Sequence, residues 1–222
     1  MTQSTRLLAE VLIVAMATIP AASSQAIEEP DYELERQDGN YEVRVYGPRI
    51  VAETWVEGTQ SDAGSIAFRR LAGYIFGAND TDESISMTAP VTQEPPAELE
   101  ASAEVSKMPS EGRYRVTFTM PREHSMETLP APNDDRVVLR EEPGRRVASL
   151  RYRGFWSTSR YQDHEQKLID WLNANGLERT KNPPIWARYD PPYMPWFLRR
   201  NEIHIELKEG PEPQSANDLP PS

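Results

Sequence analysis

His124, His164 and His204 are the only imidazoles in the chain, and it has no cysteine. Iron–sulfur clusters, thiolate zinc sites, cysteine nucleophiles and a disulfide framework are therefore excluded. Carboxylates abound, but no spacing pairs them. A Gly-rich phosphate loop, a Gly-x-Ser-x-Gly elbow and a His-Glu-x-x-His helix are all missing. Nothing in the chain marks an enzyme; acid–base chemistry would need side chains such as Glu83 and His164 to converge in space. The densest chemistry lies in Tyr189-Asp190-Pro191-Pro192-Tyr193-Met194-Pro195-Trp196-Phe197-Leu198-Arg199-Arg200-Asn201-Glu202. Tyr193 to Phe197 are consecutive large or stiff residues, a costly apolar patch if exposed unless they cover something. With Arg199-Arg200 behind them they read either as a lid with a cationic rim or as a loop anchored over the core by an Arg–carboxylate pair. His164 lies in the helical stripe Tyr161, Leu168, Trp171, Leu172, where a packed, hydrogen-bonded histidine is the plain expectation. His204 alternates with Ile203, Ile205 and Leu207 and is expected on a solvated polar face. His124 sits in a loop and carries no pattern.

These residues belong to a chain of 222 residues with a formal charge of −11 and 20 prolines. Such an acidic surface repels duplex DNA or RNA, so no nucleic-acid partner is expected. Arg6, an apolar stretch from Leu7 to Ala22 and the small, polar run Ser23-Ser24-Gln25-Ala26 have the three-part shape of a secretory signal peptide. Glu10 interrupts the stretch, leaving Val11 to Ile19, too short for the roughly 20 residues that span a bilayer. We expect cleavage after Ala26, export to the periplasm or the medium, and no stable membrane anchor. A monomer is favoured.

Alternating apolar residues mark strands at Tyr32 to Arg36, Tyr41 to Tyr46, Ile50 to Val56, Arg113 to Met120, Arg136 to Glu141, Arg145 to Tyr152, Ile185 to Tyr189 and Glu202 to Leu207. Asp38-Gly39-Asn40 reads as a hairpin turn. Ile85 to Val91 is β-prone but interrupted by Pro90, which predicts an edge strand. One helix is expected from an N-cap at Ser61 or Asp62 to Gly77, and a second from Ser159 to Asn175, ended by Gly176. Residues 94 to 111 and 121 to 135 read as loops, and 208 to 222 as a disordered tail.

Arg44, Arg49, Val51, Ala52 and Gly58 recur 96 residues on as Arg140, Arg145, Val147, Ala148 and Gly154. The repeat implies two pseudo-symmetric β-β-α-β halves, about 30–93 and 112–207, in an α+β domain: a curved antiparallel sheet or open barrel with two helices. By that offset His164 matches Phe68. The first helix spreads its apolar residues over about 200°, against the little over 100° that one sheet covers. The stripe Phe68, Leu71, Ala72, Ile75 is therefore either a second layer of core, a dimer contact or a groove for an apolar ligand.

Three segments carry a family resemblance: Tyr41-Glu42-Val43-Arg44-Val45-Tyr46-Gly47-Pro48, Ile85-Ser86-Met87-Thr88-Ala89-Pro90-Val91, and Tyr189-Asp190-Pro191-Pro192 with Arg199-Arg200-Asn201-Glu202-Ile203. In order and spacing they resemble the SOUL heme-binding protein family over residues 30 to 207. The resemblance implies a distorted antiparallel β-barrel with two helices, residues 27–207 as the domain, and exchangeable binding of heme or another porphyrin. Its site would be an apolar groove of Phe68, Leu71, Ala72 and Ile75 with Tyr193, Met194, Pro195, Trp196 and Phe197, and Arg199 or Arg200 for the propionates. Some members carry a histidine where this chain has Val45. An axial bond from that position is impossible here, which leaves Met194 and His164 as the candidate iron ligands and points to a carrier, buffer or scavenger. The same architecture also suits an effector-binding or scaffold module.

Overall fold

The computed structural model describes residues 27–95 and 112–209. The expected signal peptide, nearly all of the 94–111 loop and all but two residues of the tail lie outside them. Nine strands and two helices follow in the order β1 (Tyr32–Asp38), β2 (Tyr41–Tyr46), β3 (Arg49–Gly58), α1 (Gln60–Ile75), β4 (Val91–Glu94), β5 (Gly112–Thr119), β6 (Val138–Glu142), β7 (Arg145–Arg153), α2 (Thr158–Ala174), β8 (Ile185–Arg188) and β9 (Arg200–Glu206).

All nine strands form one antiparallel sheet in the order β1-β2-β7-β9-β8-β4-β5-β3-β6. Reading outward from the β4–β8 pair, each side runs through the same kinds of strand: β5, β3, β6 on one side and β9, β7, β2 on the other. The duplication is therefore a β-β-α-β-β unit, and each unit lends its first strand to the other: β2 pairs with β7, and β6 with β3. The sheet does not close. β1 and β6 are its two ends, and all seven residues of β1 are exposed, so the architecture is an open curved sheet and not a barrel.

Pro90 shapes the middle of the sheet. It cannot donate to a ladder, and β4 begins at the next residue, Val91, instead of at Ile85. β4 is also not an edge; it pairs with both β5 and β8. α1 starts earlier than expected, capped by Thr59, whose hydroxyl accepts from the Asp62 amide at 3.2 Å and donates to the Asp62 carboxylate at 2.8 Å.

The helices cover one face. Ala52, Val56, Tyr114, Val116 and Phe118 meet α1's Ala63, Ala67 and Leu71 in the same core as Leu150, Tyr152, Ile203, Tyr161, Leu168 and Leu172. The wide apolar arc of α1 is explained by a second layer, since Ile85, Leu129 and Val137 join this core and the Tyr74 hydroxyl donates to the Pro130 carbonyl at 3.0 Å.

Strand alternation turns the other residues to the opposite face, and there the sheet is charged yet buried. Arg44 and Glu202 are both 0% exposed. The Glu202 carboxylate accepts from Arg44 (2.7 Å), Tyr189 (3.0 Å), Arg200 (3.0 Å), His204 (2.9 Å), Ser149 (3.2 Å) and Arg151 (3.2 Å). His204, expected in solvent, is thus buried, because this face carries its own polar core. In the other unit Arg115 holds the matching place, opposite Trp55 as Glu202 is opposite Arg151. It is surrounded by Glu53, Glu94 and Glu142 at 2.7–2.9 Å.

Burial would raise the Glu202 carboxyl, but His204 and Arg44 outweigh it and hold it below the ordinary range. Glu142 is likewise brought down to about 2 against burial, by Arg145, Arg49 and Arg115. Carboxyls depressed in the folded state stabilise it above their unfolded pKa, and that stability is lost as pH falls from about 5 toward 2. Replacing Glu202 strands Arg44 without its partner, so Glu202→Gln should cost about 3–5 kcal/mol in urea unfolding and flatten the acid limb of the stability–pH curve. An unchanged midpoint and acid limb would show that this network is not the structural hub.

Candidate functional site

The two units differ where β7 leads into α2. Gly58 and Gly154 occupy equivalent positions with φ of 140° and 136°, a region that favours glycine. Thr59 caps α1 directly after Gly58, whereas Phe155 and Trp156 intervene before the α2 cap, Ser157. Aligning the caps makes His164 equivalent to Ile66 and not to Phe68. A Cβ on Gly154 would lie 2.8–3.0 Å from the Arg160 guanidinium, so this turn is also closely packed.

The two inserted aromatics meet the loop between β8 and β9. Phe155 stacks on Trp196 with centroids 4.8 Å apart and planes at 16°, and Phe197 meets Trp196 edge-on at 5.7 Å. Trp156 donates its indole N–H to Asn201 at 2.7 Å and carries the guanidiniums of Arg199 (4.7 Å) and Arg188 (5.1 Å) against its ring. Phe155, Trp196, Phe197 and Leu198 are each about half exposed and Tyr193 is 86% exposed. Phe155, Trp196 and Phe197 thus form an exposed aromatic cluster of the kind that marks binding sites, and Leu198 and Tyr193 are exposed on the same loop.

The loop is braced from within. The Arg199 guanidinium donates to the carbonyls of Met194 (2.7 Å) and Pro192, and the Met194 and Leu198 amides close turns onto Pro191 and Pro195. At its base the Arg200 amide donates to Asp190 at 2.6 Å. The Arg200 side chain lies 3.6 Å over the Tyr189 ring and bonds Glu202 and Glu29. Arg200 is therefore part of the buried hub, which fits the anchored-loop reading of Arg199-Arg200.

Charge at this end is one-sided. Most arginines of the charged face meet a carboxylate, Arg113 and Arg153 being exceptions; off that face, Arg160 of α2, Arg188 on the helix side of β8 and Arg199 of the loop also have no carboxylate partner among the described residues. Arg160 donates to the Arg153 carbonyl, and its buried Nε has no partner. Arg188 donates to the Tyr161 hydroxyl (2.9 Å) and to Gln93 (2.6 Å), while Arg199 serves the loop carbonyls. Arg188 and Arg199 thus lie against Trp156, next to the exposed aromatics, and Arg160 against the Gly154 turn, each without a carboxylate partner among the described residues.

The α1 half of the predicted groove lies elsewhere. Leu71, Ala72 and Ile75 are buried in the core, and half-buried Phe68 packs at 5.5 Å on Phe118. α1 reaches this end through its first turns, where Gln60 accepts from Thr158 at 2.8 Å and Gly64 lies against Arg188. His164 is half-buried, stacked on Tyr152 at 3.9 Å, with Nδ1 at 2.7 Å from the Arg160 carbonyl; burial lowers its pKa. Met194 is half-buried, Glu83 is exposed on the loop after α1, and His124 is half-buried beside Glu123. Among the described residues no cluster of three or more His, Asp or Glu could hold a metal. A cavity of about 740 Å³, lined by Glu28, Asp31, Arg49, Arg122, His124 and Glu142 among others, includes none of the predicted groove residues. Sequence reading missed Phe155, Trp156, Arg160 and Arg188; the signal was the two-residue insertion after Gly154.

A family model described as SOUL heme-binding protein matches residues 27–206. The chain belongs to the SOUL family. It is 27% identical over 200 residues to heme-binding protein 2 of Mus musculus, covering 84% of this chain and 93% of that one. To heme-binding protein 2 of Homo sapiens it is 28% identical over 203 residues, with 89% and 93% covered. Among solved structures, the C-terminal domain of EcmrR superposes with a TM-score of 0.57 at 12% identity, covering 81% of this chain and 99% of that domain. A hydrolase from Listeria innocua superposes with a TM-score of 0.52 at 10% identity, covering 76% and 92%. At such identities these two structures establish the shared fold alone.

Arg199 holds the loop by its carbonyls, so Arg199→Ala should raise amide hydrogen exchange across 191–199 about tenfold and leave β7 and β9 protected. Uniform exchange in the two proteins would remove Arg199 as the brace.

Proposed function

We propose that this chain binds heme on the surface formed by Phe155, Trp196, Phe197, Leu198 and Tyr193, as an exported carrier or buffer. The observation that carries the reading is the pairing of exposed aromatic rings with arginines that lack a carboxylate. A flat apolar macrocycle bearing two carboxylates matches both features: rings against rings, and propionates against guanidiniums. Arg160, Arg188 and Arg199 would supply the cations, in place of Arg200, which Glu202 and Glu29 already occupy. The family of heme-binding proteins supports the same ligand.

Heme here is cargo. Its iron would supply redox and ligand-binding chemistry wherever it is delivered; this chain's residues hold it, orient it by its carboxylates and release it. An open platform favours exchange, since little protein must move to let the ligand go. The composition of residues 1–26 supports export, and with it a role outside the cytoplasm.

Hemin titration of the full chain, followed by the Soret band, should saturate at one equivalent. Trp196→Ala and the charge-reversing Arg188→Glu should each weaken binding about tenfold or more, while Phe68→Leu, in the α1 core, should leave it within about twofold. Equal binding by all four proteins would move the site away from this surface, and absence of saturable binding by the folded chain would overturn the reading. For export, the intact mass of protein recovered from the periplasm or medium should correspond to a chain beginning at Ile27. A full-length mass in the cytoplasmic fraction would refute it.

A further inference from the structure

We infer that one small monovalent anion, of the halide class, binds on the charged face of the sheet between Arg49 and Arg145. The site lies apart from the aromatic platform and does not rest on the heme-binding reading.

Arg49 and Arg145 are repeat mates that open β3 and β7. Their partners across the ladder are not alike. Arg49 lies opposite Glu142 of β6, whereas Arg145 lies opposite Tyr46 of β2, which stands 96 residues before Glu142. Where one unit supplies a carboxylate, the other supplies a phenol. Arg145 reaches over to Glu142 instead, and Arg49 holds the same Oε2 atom at 2.9 Å. The other oxygen of Glu142 is taken by Arg115 at 2.7 Å, so one carboxylate serves three guanidiniums. Arg115 also has Glu53 and Glu94. The shortfall therefore falls on Arg49 and Arg145, which make no other ion pair among the described residues although their side chains are only 17% and 16% exposed. Burial and the Arg145 charge lower the Arg49 pKa, as expected of a cation pair short of counter-charge.

Both arginines line one small cavity. Its volume is about 20 Å³, and its polar lining is Tyr46, Arg49, Thr92, Thr119, Arg145 and His204; the remaining lining is apolar, and no carboxylate borders it among the described residues. Tyr46, Thr92 and His204 already bond Arg44, Thr117 and Glu202. The donors left for a guest are the two guanidiniums and the Thr119 hydroxyl. There is room for one guest the size of a water molecule or a halide ion. Water would fill the space and leave the buried cations uncompensated, whereas an anion does both. Anions as large as phosphate or sulfate exceed the space.

Thermal unfolding of the full chain in sodium chloride, against sodium gluconate at equal ionic strength, tests the site, because gluconate is too bulky for the cavity. At a chloride concentration ten times its Kd the wild-type midpoint should rise by about 3–5 °C. Arg145→Gln, which leaves Glu142 to Arg49 and Arg115, should unfold at the same temperature in both salts. Arg113→Gln, whose guanidinium lies over Trp55, should respond as wild type. Crystals of the wild type grown in sodium bromide should show one anomalous peak between the Arg49 and Arg145 guanidiniums, a result that needs no variant to fold. Equal wild-type midpoints in the two salts, a chloride response that persists in Arg145→Gln, or a cavity that holds only water in the bromide crystals would each overturn the inference.

Discussion

The ion pair between Arg44 and Glu202 sets the terms for the rest of this fold. Two charges lie fully out of water between β2 and β9, and their attraction offsets the cost of burying them only if the remaining lone pairs and N–H groups are also met. That requirement recruits Ser149 and Arg151 from β7, His204 and Arg200 from β9, and Tyr189 from the end of β8. The carboxylate thereby ties three strands together with both ends of the loop that bears the exposed aromatics. Glu29 adds the segment before β1 through Arg200. A face of a sheet that would otherwise lie open to water becomes a second, polar core, and the loop's position follows from it.

Duplication explains why such a core occurs twice with its signs exchanged. In one unit a carboxylate sits among cations, and at the equivalent point of the other an arginine sits among carboxylates. Glu42 and Glu29 beside the arginines of the first cluster, and Arg49, Arg140 and Arg145 beside the carboxylates of the second, bring each close to neutral, so neither needs the other for charge balance. The exchanged strands make the two units inseparable, because β2 completes the second unit and β6 the first. Symmetry of this kind gives each half the same scaffold. The clearest local difference between the halves is the Phe155-Trp156 insertion facing the β8–β9 loop.

Much of the scaffold was legible in the amino-acid order. Strand alternation, two amphipathic helices, the repeat and the family motifs all follow from local pattern, and the helix stops at Gly77 and Gly176 coincide with positive φ. Three features were not legible, for physical reasons. Strand exchange between the units depends on pairing partners, which alternation does not encode. His204 reads as solvated because period-two alternation says which face a residue takes, not whether that face is wet; burial came from side chains distant in sequence. The α1 arc left a second core layer, a dimer contact and a ligand groove open, and the resemblance selected the groove, whereas the loop residues Leu129 and Val137, which carry no periodic signal, supply a second layer. That placed half of the expected groove in the core, while the loop residues Tyr193, Trp196 and Phe197 remained at the surface.

The exposed aromatics also pose a stability question that the surrounding charges answer. An unoccupied apolar platform invites self-association, yet in this chain of charge −11 two approaching copies repel one another. That repulsion does not extend equally to a small anionic ligand. At physiological salt the screening length is about 8 Å, so a ligand at the platform responds mainly to the nearest charges and little to the distant acidic surface. The cations on that side are Arg188 and Arg199 against Trp156 and Arg160 at the Gly154 turn, held by a hydroxyl, an amide and backbone carbonyls in place of carboxylates. Neutral partners fix the guanidiniums in space but leave their charge uncompensated. On the proposed reading, that uncompensated charge is what a flat, apolar anion would meet at the platform.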